Sequence, residues 1–283
     1  MVTWVDTHCH WDAAELVLDS ARRRAAARDH GVAVAVVPAV EASNWGGVRA
    51  WAHAQGDAYA LGIHPLYVKH AHEADLMALE ATLEAHIQDP RLVAVGEIGL
   101  DAWAPDLREP ELWAKQQQFF RAQLRMAKRF GLPVLLHVRK SVDAVLKALR
   151  EVGVHQGIAH AFNGSLQQAE AMRTQGLVMG FGGALTFEAA QQLRRLVTQL
   201  PAHALVMETD GPDMPPHWLY TTQAQRQAGR PQGVNASDEL PRIAAVAAQL
   251  RGEEVSQWAQ LTTANASSAL PKLGELLRST PAL

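Results

Sequence analysis

The sequence holds a single cysteine, Cys9, in 283 residues, so no internal disulfide can form. A chain of this length can bury a core large enough to do without one. Sparing use of cysteine fits a reducing compartment, and no basic segment followed by an apolar stretch opens the chain; a cytoplasmic location is expected. No apolar run approaches the roughly 20 residues needed to cross a bilayer, which argues against a membrane role. Positive charge is not in excess either, with 26 Lys and Arg against 29 Asp and Glu and a net charge of −3. Holding nucleic acid by bulk electrostatics is therefore excluded, and any phosphate must be met by local groups or metal ions. There are no internal repeats, charge blocks or linkers, and nothing implies an obligate protein partner.

What the chain does contain is a regular alternation. Eight short apolar runs, Val2–Thr7, Val32–Val40, Ala58–Ile63, Leu92–Ile98, Pro133–Val138, Gly157–Ala161, Leu177–Phe181 and Ala204–Thr209, alternate with longer helix-like stretches. The first helical stretch is expected at Ala13–Asp29, the seventh at Phe187–Leu200. Ser165 and Gln168 have capping-box spacing, and Gly31, Gly131, Gly153 and Gly176 fall where a helix C-terminus expects glycine. Near-continuous apolar strands joined by helices mean a parallel sheet covered on its outside. Eight such units predict an α/β fold, the (β/α)8 TIM barrel. An open doubly wound sheet competes with it, but no Gly-x-Gly-x-x-Gly follows the first strand. Residues 1–283 are expected to form one domain: a barrel core over about 1–212, a long loop over 213–237 rich in Pro, Gln, Gly and Arg, and C-terminal helices over 238–283. Those helices are expected at about Asp238–Leu250, Glu254–Ala264 and Ala266–Leu277.

In a barrel the chemistry lies at the C-terminal ends of the strands. Those ends carry His8 and His10, then His64, then Glu97 and Asp101, then His137 and Arg139, then His160, then Glu208 and Asp210. Five of the thirteen histidines thus fall on one rim. Strand alternation would point Asp6, His8 and His10 the same way, His8 and His10 about 7 Å apart, close enough to converge on one ion. His30, His53, His70, His72, His86, His155, His203 and His217 lie away from strand ends and read as structural or solvated. Singly, several rim residues have plainer readings: His64 as a loop histidine beside Pro65, Glu208 as a buried hydrogen-bond partner, Asp101 as a helix cap, Cys9 as a small buried residue. Trp11, Trp103 and Trp218 read equally as stacking platforms or as packing between barrel and helices.

The nitrogen and oxygen donors His8, His10, Glu97, His137, His160 and Asp210 suit Zn²⁺, Mn²⁺, Fe²⁺ or Ni²⁺ better than Mg²⁺. Six donors exceed the need of one tetrahedral ion. Two divalent metal ions sharing Glu97 as a bridge are the economical arrangement, and such a pair can activate water and clamp a phosphoryl or acyl oxygen.

The motifs Asp6-Thr7-His8-Cys9-His10, Gly62-Ile63-His64-Pro65, Val95-Gly96-Glu97-Ile98-Gly99-Leu100-Asp101, Pro133–His137, His160–Ser165, Glu208–Pro212 and Thr262-Thr263-Ala264-Asn265 recur in this order along nearly the whole chain. In this the chain resembles the TatD family of metal-dependent hydrolases, within the amidohydrolase superfamily of (β/α)8 barrels. The resemblance implies that His8, His10, Glu97 and Asp210 hold one metal and Glu97, His137 and His160 a second. It also implies that Asp210 takes the proton of the attacking water and that His64 contacts the scissile phosphate. Arg139 is placed beside them as a substrate contact. Family members are described as deoxyribonucleases, some acting from the 3′ end, which implies a phosphodiester substrate such as single-stranded DNA. Other esters, including D-aminoacyl-tRNA, are known in the wider family, so another ester, an amide or a small metabolite is the alternative. Superfamily relatives often carry a carbamylated lysine on strand four, where this chain has Glu97. The chain departs from the family in its loop Gly229–Ser237, where Arg230 is the one basic residue and Asn235 matches the family's asparagine. A barrel whose metal site is merely structural is the weakest reading, because rim sites leave open positions.

Overall fold

The computed structural model describes residues 2–279, and the last positions of the expected helical region, 280–283, lie outside them. Eight strands run in sequence order in one parallel sheet: β1 (Trp4–Asp6), β2 (Val32–Pro38), β3 (Ala58–Leu61), β4 (Leu92–Asp101), β5 (Val134–Arg139), β6 (Gly157–Ala159), β7 (Leu177–Phe181) and β8 (Leu205–Met207). Each lies within or beside one of the expected apolar runs. The circle closes just past the strand ends, where Thr7 N–H donates to Met207 C=O at 3.1 Å, Asp210 N–H to His8 C=O at 2.8 Å and His10 N–H to Gly211 C=O at 2.7 Å. The seam between β8 and β1 is therefore made by the same backbone that carries His8, His10 and Asp210.

One face of the strands fills the barrel: Val5, Val34, Val36, Ala58, Ala60, Ala94, Leu135, Ile158 and Val206 form a single buried cluster. The opposite face, including Trp4, Val37, Leu61, Leu136 and Met207, packs against the helices. These are α1 (Ala14–Val17), α2 (Ser20–Asp29), α3 (Trp45–Gln55), α4 (Glu73–His86), α5 (Pro110–Phe130), α6 (Val142–Val152), α7 (Leu166–Thr174), α8 (Gln191–Gln199), α9 (Gln223–Gln227), α10 (Leu240–Arg251), α11 (Val255–Ala269) and α12 (Pro271–Ser279). Ser165 and Gln168 make the expected reciprocal capping bonds at 3.1 and 3.0 Å.

Three expected helices end elsewhere. The first breaks in two because Asp19 leaves helical geometry at φ −127° and the Ser20 hydroxyl returns to Val17 C=O at 3.1 Å; short polar side chains offer the backbone such alternatives. The seventh begins late, at Gln191, after a 3-10 turn over Gly183–Thr186. The last break falls at Leu270, before Pro271, since a residue preceding proline resists helical geometry. The expected long loop is present and holds only the short α9 and a 3-10 turn.

The C-terminal helices close the bottom of the barrel. Ala266, Ala269, Leu270, Leu273 and Leu276 join the interior cluster. Asn265 donates to Ala202 and Leu205 C=O at 2.8 and 2.7 Å, at the start of β8. The Thr262–Asn265 motif is thus structural, at the end of the barrel opposite the histidines.

Candidate metal centre

Glu97 sits in the middle of the rim, fully enclosed on β4. The glycines around it let β4 press against β5: a Cβ on Gly96 would lie 2.6 Å from Leu135 Cβ, and one on Gly99 would lie 1.9 Å from His137 O. The close register Gly99 to His137 is what brings Glu97 and His137 together across adjacent strands.

The two oxygens of Glu97 face different partners. Oε2 lies 3.2 Å from His8 Nε2 and 3.5 Å from His10 Nε2. Asp210 Oδ1 completes that side at 3.7 and 3.8 Å from the same nitrogens, which are themselves 3.2 Å apart. Oε1 lies 2.7 Å from His160 Nε2, 3.0 Å from His137 Nδ1 and 3.2 Å from His64 Nε2. Ligands bonded at 2.0–2.1 Å to a tetrahedral ion lie about 3.3 Å from one another. The spacing on both sides of Glu97 is of that size. The donor atoms on the two sides fall into groups close enough to share an ion, and Nδ1 of both His8 and His160 is buried without a hydrogen-bond partner. The donor set therefore fits divalent cations.

Charge within the cluster is self-consistent only while Glu97 is ionised. Burial alone would raise its pKa, but His64, His160 and His8 around it hold the carboxyl well below the usual range. Burial pulls His160 and His10 down, yet Glu97 outweighs it and carries them up to about 10 and about 9. Asp210 is raised, first by burial, which leaves it a stronger base than a solvated aspartate.

His64 differs from the other four histidines. Leu66 N–H donates to its Nδ1 at 3.1 Å, so in the neutral ring the proton is on Nε2, the atom facing Glu97. Burial lowers its pKa to about 4, so the ring is neutral. With Glu97 and His137 it also forms a group of ligand spacing, but this tautomer turns an N–H rather than a lone pair toward Glu97.

Asp101 is the residue that sequence reasoning undervalued. Its Oδ2 lies 2.9 Å from His137 Nε2 and its Oδ1 accepts the Trp103 N–H at 2.7 Å. A carboxylate on the remote nitrogen of a histidine fixes the tautomer and orientation of a metal ligand. Asp101 has the same parity as Glu97 on β4, and that was the available signal.

Asp6 does not share the site. It accepts from Thr209 Oγ1 and Ser237 Oγ at 2.6 and 2.7 Å and from the Thr209 and His8 amides at 3.0 and 3.2 Å. Burial pushes its carboxyl up to about 6 against these bonds. The strand ends at Asp6, so alternation does not carry on to His8 and His10; Asp6 ties β1 to β8 and to the long loop. Asn235 likewise donates to Thr209 and Asp213 C=O at 2.7 and 2.8 Å, which makes it a clasp of that loop. Glu208 is buried, its pKa raised to about 8 chiefly by burial; it accepts the Ala161 N–H at 2.5 Å and lies 3.9 Å from His160 Nδ1. Arg139 is exposed at the end of β5 with its guanidinium over Trp103, and Arg230 is exposed on the loop. Trp11 is buried against Trp51, and half-buried Trp218 bonds to Glu239, so both are packing residues.

The model of the TatD related DNase family matches residues 5–271. An Escherichia coli (strain K12) protein described as the uncharacterized metal-dependent hydrolase YjjV is 36% identical over 259 residues, 91% of this chain and 93% of that one. The crystal structure of YjjV, a TatD homolog from E. coli K12, superposes with a TM-score of 0.84 at 35% identity, covering 95% of this chain and 98% of the other. A protein of Erwinia amylovora named 3′-5′ ssDNA/RNA exonuclease TatD is 33% identical over 210 residues, 72% of this chain and 74% of that one.

Proposed function

This chain belongs to the TatD related DNase family of metal-dependent hydrolases, and from that premise we propose that it cleaves phosphodiester bonds of single-stranded nucleic acid at a two-metal centre. The observation that carries the proposal is the division of Glu97: each carboxylate oxygen meets its own set of imidazole nitrogens, the arrangement of a bridging ligand. His8, His10, Glu97 and Asp210 would hold one divalent ion, and Glu97, His137 and His160 the other. Bound there, such ions supply Lewis acidity and bring the pKa of water toward neutrality.

The chain's own groups do the rest. Asp210 takes the proton of the attacking water, its buried carboxyl being basic enough to hold it. Water oxygen bonds to phosphorus, the bond to the leaving oxygen breaks, and the proton passes to the departing alkoxide. His64 donates its Nε2–H to a non-bridging phosphoryl oxygen, where negative charge grows. Asp101 keeps His137 in register. The relatives named 3′-5′ ssDNA/RNA exonuclease support the nucleic-acid substrate.

A second reading keeps the centre and changes the substrate to another ester or amide, such as aminoacyl-tRNA or a small metabolite. It is favoured by the loop Gly229–Ser237, which has one basic residue. A substrate panel with the metal-reconstituted protein separates the two: single-stranded DNA labelled at either end, bis-p-nitrophenyl phosphate, p-nitrophenyl acetate and D-aminoacyl-tRNA. Turnover of DNA and the phosphodiester is expected. Turnover of only the acetate or the aminoacyl ester would replace the first reading by the second.

A further inference from the structure

We propose that Trp103, Arg139 and Lys140 form a nucleobase subsite beside the metal centre, taking one unpaired base of the substrate strand on the indole and its adjoining phosphate on the two cations. The inference rests on the phosphodiester reading and adds to it where the strand lies and why it must be single-stranded.

Of the eight tryptophans, Trp103 alone is exposed, at 55%. Leaving an indole in water forgoes the stabilisation that burial would give it. Its neighbours explain the position. The Arg139 guanidinium lies 4.6 Å and the Lys140 ammonium 5.7 Å from its ring centroid. Among the described residues neither cation has a carboxylate within ion-pair distance, and Arg139 acts on Asp101 only through space. An exposed ring with two unpaired cations is the composition that recognises a base and its phosphate.

The group is also fixed relative to the chemistry. Trp103 N–H is held at 2.7 Å by Asp101, the carboxylate that meets His137 Nε2. Ala102 N–H donates to Arg139 C=O at 2.9 Å, and Ser141 Oγ donates to Leu100 C=O at 2.6 Å, so the extensions of β4 and β5 are laced together. Trp103 and Lys140 thus lie in the loops just past β4 and β5, and Trp103 is tied through Asp101 to His137.

Stacking needs a free base face, which a paired base does not offer. Every base has such a face, so little sequence preference is expected.

The test uses the full-length, metal-loaded protein and two cleavage-resistant phosphorothioate strands of equal length and charge, one of thymidines and one abasic, with binding read by fluorescence anisotropy. The wild type should prefer the thymidine strand by about 5–150-fold, the range expected for one stacked base. Trp103→Ala should bring the two affinities together, Trp103→Phe should keep most of the preference, and Lys140→Ala should weaken both strands alike and flatten the salt dependence. Circular dichroism melts check that the variants fold, which the exposure of Trp103 leads us to expect. A Trp103→Ala protein that keeps the preference overturns the subsite. A wild type that hydrolyses phosphodiesters yet binds both strands alike overturns the subsite alone. One that neither hydrolyses a phosphodiester nor binds either strand overturns it together with the reading beneath it.

Discussion

The barrel buries charge at both ends, and the two ends do it differently. At the N-terminal ends of β2 and β3, Arg24 and Asp57 are both fully buried. Every group there is answered within the chain: Arg24 donates to both oxygens of Asp57 at 2.6–3.0 Å and to the carbonyls of Val32 and Ala33 at 2.9 and 3.0 Å, and Asp57 also accepts the Ala35 N–H at 2.9 Å. At the C-terminal rim, Glu97 and Asp210 meet imidazole nitrogens only, and Nδ1 of His8, Nδ1 of His160 and Oε2 of Glu208 have no partner. The first cluster is complete as protein and serves stability. The second leaves imidazole and carboxylate donors grouped closely enough to hold cations. The division follows the barrel rule that places stability at the bottom face and catalysis at the top.

The contrast can be broken from either end. The largest effect is expected at the rim: Asp210→Asn keeps the shape and one ligand oxygen but loses the base, and kcat should fall roughly 10²–10⁴-fold with an unchanged melting curve. Steady-state kinetics beside a thermal melt check both halves. Arg24→Met is the mirror experiment. It leaves buried Asp57 without its counter-charge, so denaturant unfolding should show a loss of about 3–5 kcal/mol while metal content and kcat per folded molecule stay put. A stability loss in the first variant, or a selective activity loss in the second, would erase the distinction.

Much of this was legible from sequence, and the failures have a common cause. Apolar runs separated by helix-length stretches reveal strands because burial on two faces demands continuous apolarity. His8, His10, His64, His137 and His160 were legible because each stands where such a run ends. Asp6 misled, because alternation was extended beyond a strand that stops there; the pull of Thr209 and Ser237 on its carboxylate is tertiary. Asp101 stands on the rim in the sequence too, but its bond to His137 is tertiary, with the partner 36 residues away on the next strand. The sealing role of α11 and α12 depends on packing beneath the barrel, which no local pattern announces.

Two smaller effects sharpen the account of the rim. Asp101→Asn leaves all six proposed ligands in place but loosens His137, and metal affinity should drop about 10–100-fold, measured by competition with a chelator. An unaltered affinity would return Asp101 to a purely local role. In the proposed mechanism His64→Ala removes a donor to substrate and not a ligand: elemental analysis should find the metal content intact, with kcat/KM reduced roughly tenfold, the lower range for a hydrogen bond to a charged group. Metal loss in that variant would make His64 a ligand.

The bridging role of Glu97 is tested most directly by counting metal ions. Elemental analysis of the purified wild type and of Glu97→Gln, each with a chelator-treated melting curve, should give two ions per chain in the wild type and at most one in the variant. Both proteins should stay folded after chelation, because the apolar barrel and not the metal holds them. A Glu97→Gln protein that retains two ions, or a wild type that binds none, would contradict the bridge and the reading built on it.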